Sequence, residues 1–139
     1  MDIQISDFSV KKGEEQMHFE EIVGLLHQSY WAKDRAKEVI EKSMKNSICY
    51  GIFESASDIQ VGFARVITDY ATTYYMCDVI IDEKYRGKGL GNHLLEAIEQ
   101  DNDFCYLRGV LATRDAHELY SKFGFENGGN MFMQKSPRR

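Results

Sequence analysis

Proline is almost absent: Pro137 is the one example among 139 residues, and it lies in a basic end, Ser136-Pro137-Arg138-Arg139. The preceding chain can form helices and strands without the breaks that proline imposes, and 136–139 reads as a frayed tail. Cysteine is scarce too. Cys49, Cys77 and Cys105 are an odd set without a C-x-x-C pair, each in or beside an apolar stretch. That pattern points to buried thiols and away from a disulfide framework or a zinc site. His18, His27, His93 and His117 share no metal-ligand spacing, so no metal is expected. No apolar run approaches the roughly 18 residues of a membrane-spanning helix, and the first residues lack a basic-then-apolar leader pattern. No membrane role and a cytoplasmic location are therefore expected. An excess of basic charge is missing as well. Lys and Arg number 17 against 22 Asp and Glu, a net charge of -5, which argues against nucleic acid as a partner.

What is present suits one folded domain over 1–139. The hydrophobic fraction is 43% and the charged fraction 28%, enough apolar side chains for a substantial core. No linker, repeat or low-complexity segment divides the chain. Ile3, Ile5 and Phe8 alternate with polar residues as in a half-buried strand. Phe19, Ile22, Val23 and Leu26 recur at helical spacing up to about Ser29, and Ala36, Val39, Ile40 and Met44 mark a second helix over about 33–46. Residues 48–54 and 59–68 read as a hairpin around Ser55-Ala56-Ser57-Asp58, and 74–81 as a third strand. Leu90, Leu94, Ala97 and Ile98 form one face of a helix from about Lys88 that ends before Asp101. A short strand over 109–113 follows. A last helix carries Ala116, Leu119, Tyr120 and Phe123, with an Asp115/Glu118 capping box, and ends at Gly124. Met131 and Met133 supply a closing strand.

Between the third strand and the next helix stands Arg86-Gly87-Lys88-Gly89-Leu90-Gly91. A strand that enters a helix through glycines presents free backbone N–H groups at the positive end of the helix dipole, a ready site for phosphate. Three alternating glycines alone equally suit a tight turn. The P-loop pattern fits poorly, because Gly87-Lys88 is followed by Gly89 where Ser or Thr is required. The dinucleotide pattern fits poorly because a hairpin precedes the turn.

The wider context is more specific. Val79, Ile81, Tyr85, Arg86, Gly89 and Gly91 together resemble the strand-turn-helix signature of the GNAT superfamily of acyltransferases, in which Arg or Gln is followed by x-x-Gly-x-Gly or Ala. Ala116, Leu119, Tyr120, Phe123, Gly124 and Phe125 are similar to that family's last-helix motif, A-x-x-L-Y-x-x-x-G-F. The segments Tyr30-Trp31-Ala32, 62–66 and 113–117 further resemble a subgroup of small bacterial members. The resemblance covers about residues 3 to 135. It implies an α/β (α+β) fold, with a mixed, mostly antiparallel central sheet flanked by about four helices.

The resemblance also implies roles. Acetyl-coenzyme A is the expected acyl donor, its pyrophosphate bound by Arg86, Gly87, Lys88, Gly89, Leu90 and Gly91. The main chain of Val79, Ile80 and Ile81 would pair with its pantetheine arm as an added strand. That pairing requires the third strand to splay from the next one and implies a bulge near Cys77 to Val79. Tyr120 stands where the family places the phenol that protonates the departing thiolate, although spacing alone makes it the i+4 member of an apolar stripe. Where the family often carries Asn, this chain has Thr113, to cap the last helix or to bond pantetheine. Asp78 is the best candidate for the general base: in the strand pattern it shares a face with Met76 and Ile80, where burial would raise its pKa. Asp69 is a weaker one. Tyr30 and Trp31 form either an aromatic wall for the acceptor or core packing, and Arg65 either holds an anionic acceptor group or pairs with Asp69 or Asp78. The implied activity is N-acetyl transfer to an amine of a small molecule or protein by direct attack in a ternary complex. A catalytically inactive acyl-coenzyme A sensor is the alternative, and homodimers are common among such relatives.

Overall fold

Five runs, the central three rich in β-branched and aromatic residues, form one sheet in the computed structural model, which describes residues 4–137. They are Phe8–Lys12 (β1), Ile48–Glu54 (β2), Gln60–Thr68 (β3), Thr73–Ile81 (β4) and Arg108–Val110 (β5), in spatial order β1-β2-β3-β4-β5. All neighbours are antiparallel except β4 and β5, which are parallel. The helices are Phe19–His27 (α1), Lys37–Lys45 (α2), Leu90–Glu99 (α3) and His117–Ser121 (α4).

Both faces of the sheet are covered, which is why β2 and β3 are buried nearly throughout instead of alternating. On one face α1 and α2 bury Ile22, Leu26, Ile40 and Met44 against Cys49, Phe63 and Ile80. On the other, Leu94, Leu95 and Ile98 of α3 pack on Tyr50, Ala64, Val66 and Met76. Each leucine, isoleucine, valine, phenylalanine or methionine among them contributes about 1.5–3 kcal/mol by leaving water.

Four local expectations are corrected. The first strand begins at Phe8, because Ile5–Asp7 is a 3-10 turn in which Asp7 accepts the Gln4 N–H at 3.0 Å; Ile3 lies outside the described residues. The second helix begins at Lys37 and leaves Val39 exposed. Before it, the buried Ser29 hydroxyl donates to Leu26 O and accepts the Ala32 N–H, winding the chain into tight turns. The Asp115/Glu118 capping box does not form: α4 starts at His117, and the side chain that turns the chain into it is Thr113, whose Oγ1 accepts the Ala116 N–H at 3.0 Å. Met131 and Met133 form no closing strand. They are exposed beside the 3-10 turn Gly129–Met131, where the left-handed Gly129 donates to Asn127 Oδ1.

Two irregularities of β4 position everything that follows. β4 pairs with β5 only from Thr73 to Tyr75, so residues 76–81 continue with a free edge on that side. Against β3, the register steps from Arg65↔Cys77 to Phe63↔Ile80, so Ala64 faces both Asp78 and Val79. This is a bulge, and Asp78 takes a left-handed φ of 55° within it, a conformation Asp tolerates better than most side chains.

Candidate active site

The bulge changes which way β4 side chains face. Tyr74, Met76, Val79 and Ile81 belong to the α3 side, whereas Ile80 joins the α1–α2 core. Asp78 therefore shares a face with Ile80 but not with Met76, a partial correction of the strand-pattern reading.

On the α1–α2 side Asp78 is the centre of a hydrogen-bonded cluster. Its Oδ1 accepts Trp31 Nε1–H at 2.9 Å, and its Oδ2 accepts Arg35 Nη1–H at 2.8 Å and Arg65 Nε–H at 2.9 Å. Arg65 also donates from Nη1 to Ser47 Oγ at 2.9 Å. The Asp78 side chain is only 3% exposed. Burial alone would raise its pKa, but the charges of Arg65 and Arg35 and their hydrogen bonds outweigh burial and hold the carboxyl below its ordinary value. The expectation of a raised pKa is therefore reversed, because the carboxylate is neutralised by two guanidinium groups. Of the two readings of Arg65, its pairing with Asp78 is present. Asp69 is spent on its own turn: Oδ1 accepts the N–H groups of Ala71 and Thr72, and Oδ2 accepts the Thr72 hydroxyl, bonds that draw its pKa down.

Arg35 has no counterpart in the sequence-level reading. It lies outside any helix or strand, in the wound connector before α2, so neither periodicity nor a motif marks it. The segment Tyr30-Trp31-Ala32 was the nearest signal.

Beyond the free edge of β4 the chain is tied into the glycine turn. Asp82 N–H donates to Val61 O, Asp82 Oδ1 accepts the Lys84 N–H at 3.0 Å, and Arg86 Nε–H donates to Ile81 O at 2.9 Å. Gly87 and Gly89 have φ of 79° and 82°, and Gly89 is the cap of α3. A Cβ at Gly87 would meet nothing within 4 Å, and one at Gly91 would reach only Ile81 Cγ1 at 4.0 Å, so the open space above the turn is not demanded by the protein's own packing. Leu90, 1% exposed, pins the first turn of α3 to the core, while Lys88 is exposed. The first donor with a partner here is His93 N–H, to Gly89 O, which leaves the N–H groups of Leu90, Gly91 and Asn92 at the helix end.

Tyr120 lies on α4. With Tyr74, Met76, Leu95, Phe123, Phe125 and the one charged residue Glu99 it lines a small, mostly apolar recess on the α3 side. Burial, with smaller contributions from Tyr30 and Asp115, pushes its phenol up to about 12. Gly124, left-handed at φ 88°, ends the helix so that Phe125 N–H turns back to Tyr120 O and its ring meets that of Tyr120 edge-on. Tyr30 and Trp31 are 50% and 41% exposed and lie edge to face, with the Arg114 guanidinium 3.8 Å above the Tyr30 ring. The core-packing alternative thus does not describe them. Burial pushes the Cys77 thiol up to about 11 and Cys49 to about 12, so neither is a thiolate near neutral pH. Among the described residues no cluster of His, Cys, Asp and Glu could hold a metal ion, and no helix is long and apolar enough to cross a membrane.

Comparison with known proteins agrees with this geometry. The family model described as "Acetyltransferase (GNAT) domain" matches residues 45–127. A Xanthomonas campestris pv. campestris crystal structure assigned to the GNAT acetyltransferases is 33% identical, with a TM-score of 0.85 over 94% of this chain and 93% of that one. A Gibberella zeae protein named for acetyltransferase activity is 29% identical over 67% of this chain and 63% of its own length. The Escherichia coli K12 protein YhbS, an uncharacterized N-acetyltransferase, is 42% identical over 37% of this chain and 30% of its own. The chain thus spans less than two thirds of these two curated relatives. An Elizabethkingia anophelis GNAT acetyltransferase crystallised with acetyl-CoA bound shares the fold at 19% identity and a TM-score of 0.66, over 86% of this chain and 76% of that one.

Proposed function

Because this chain belongs to the GNAT family of acetyltransferases, we propose that it transfers an acetyl group from acetyl-coenzyme A to a primary amine by direct attack in a ternary complex. The observation that carries this reading is the continuity of three features. The free edge of β4 runs from residue 76 to 81, it leads into the glycine turn capping α3, and Tyr120 faces the recess beside Met76.

In this reading the backbone of Val79 to Ile81 pairs with the pantetheine arm, and the N–H groups at the start of α3 bind the pyrophosphate. Thr113, whose oxygen accepts the Ala116 N–H in the turn before α4, keeps its hydroxyl proton for the same arm. The neutral amine nitrogen attacks the thioester carbonyl, so a C–N bond forms and the C–S bond breaks. The sulfur leaves with the electron pair and takes the Tyr120 proton. The amine releases one proton to water, and water reprotonates Tyr120. Asp78, ionised and bound by three donors, is a poor proton acceptor, and we assign it a positioning role. Neither Cys77 nor Cys49 offers a thiolate for a covalent acetyl intermediate, in keeping with direct attack.

The test is thiol release from acetyl-coenzyme A across a panel of amines, with cofactor binding measured in parallel by calorimetry. Amine-dependent release is expected. Tight binding without release on any acceptor would replace the transferase with an acyl-coenzyme A sensor. The turn is tested separately by Gly89→Val, which puts a β-branched side chain at a left-handed φ, its Cβ 3.6 Å from Ile5 Cδ1, and so disturbs the backbone that would hold the ligand. Affinity for acetyl-coenzyme A should fall by about tenfold or more, roughly the worth of one or two charge-assisted hydrogen bonds. Unchanged calorimetric affinity would dissociate the turn from the cofactor.

A further inference from the structure

We propose that the acetyl acceptor is an amine that carries a carboxylate, and that Arg35 and Arg65 hold that carboxylate beside Trp31. This rests on the acetyltransferase reading and names the substrate class for the same cleft. The first ground is charge. Two guanidinium groups, with side chains 24% and 13% exposed, share the single carboxylate of Asp78. The cluster therefore keeps one net positive charge in a poorly hydrated place, where one monoanion would compensate it.

The second ground is unused hydrogen-bonding capacity. Arg35 spends Nη1, and Arg65 spends Nε and Nη1. Among the described residues no acceptor lies against Arg35 Nε or Nη2, or against Arg65 Nη2, and no second carboxylate pairs with either arginine. Planar guanidinium donors of this kind match a carboxylate.

Position is the third. The cluster is built on the bulge from which the free edge of β4 runs, and the exposed Trp31 is tied to it through its indole N–H. A carboxylate held there would place the rest of a small molecule along the aromatic wall toward the thioester. Asp78 has both oxygens occupied, so the site does not favour the ammonium form of the acceptor, which must be neutral to attack.

Trp31 is the single tryptophan in the chain, so its indole N–H gives one assignable NMR signal at the site. The probes are the common α-amino acids, β-alanine and γ-aminobutyrate, each paired with its carboxamide, titrated with coenzyme A present. At least one acid should shift the Trp31 signal saturably and bind about tenfold or more tightly than its carboxamide. Arg35→Met should erase that preference while acetyl-coenzyme A affinity stays within about twofold; Arg35→Lys, which keeps the charge without the fork, should retain part of it. Carboxamides that match their acids, silence across the panel, or a preference that survives Arg35→Met would overturn the inference, as would phosphoethanolamine outcompeting every carboxylate. Thiol release from acetyl-coenzyme A, measured with the same panel, separates the two readings. Acid-selective binding with no release leaves this inference standing and removes the transferase. Equal release from acids and carboxamides does the reverse.

Discussion

Replacing Tyr120 with Phe should lower turnover by about a hundredfold or more, the usual worth of a positioned general acid, and leave the dissociation constant of acetyl-coenzyme A unchanged. The recess around the phenol is lined by Tyr74, Met76, Leu95, Phe123 and Phe125, with Glu99 the one carboxylate at it, so a departing thiolate would meet mostly apolar side chains and a like charge there. Without a donor, the developing negative charge would be stabilised poorly. Phe keeps the ring, its edge-on contact with Phe125 and the helical stripe, which isolates the hydroxyl. Because burial pushes this phenol up to about 12, it remains a proton donor through neutral and mildly alkaline pH. Turnover should therefore show no alkaline decline from Tyr120 below about pH 11. Steady-state rates and calorimetry together decide the matter, and equal turnover in parent and variant would take Tyr120 out of the mechanism.

The other large effect concerns stability. Asp78→Ala should destabilise the fold by about 3–5 kcal/mol, because it leaves two guanidinium groups and an indole N–H without their shared partner. Urea unfolding measures this directly, and coincident midpoints would show that the cluster holds nothing together. A pH series adds a sign. The folded-state pKa of Asp78 lies below the unfolded carboxylate value, so its contribution is complete above that value and disappears as pH falls through the folded one. The stability gap between parent and Asp78→Asn should consequently narrow in acid.

Much of this arrangement was legible before any coordinates, and the reasons are local. The hairpin of β2 and β3 announced itself by apolar runs around a polar turn, and the start of α3 by glycines that need positive φ, as Gly87 and Gly89 do. The bulge at Asp78 was legible only through the family resemblance. What stayed hidden depended on tertiary partners. A Ser29 hydroxyl that bridges Leu26 and Ala32 delays α2, and no periodicity reveals it. The capping box at Asp115 and Glu118 has the right spacing, but the helix starts two residues later, at His117 with Ala116 as its cap, after a turn in which Thr113 accepts the Ala116 N–H. Asp78 was identified as important for the wrong electrostatic reason. An apolar strand suggests desolvation, whereas the decisive neighbours, Arg35 and Arg65, lie 43 and 13 residues away in the chain.

Without Asp78, β4 would alternate without a break, Tyr74, Met76, Val79 and Ile81 on one side and Tyr75, Cys77 and Ile80 on the other. Asp78 is the residue the ladder does not need. The twist that accompanies its insertion belongs to the same stretch of backbone whose edge parts from β5. If the proposed site is right, one supernumerary residue serves two ligands at once, gathering the arginines on one face while the strand it distorts stays unpaired for the cofactor. On that reading, deleting Asp78 would remove the carboxylate that gathers the arginines and, in the same step, return β4 to regular alternation beside its free edge.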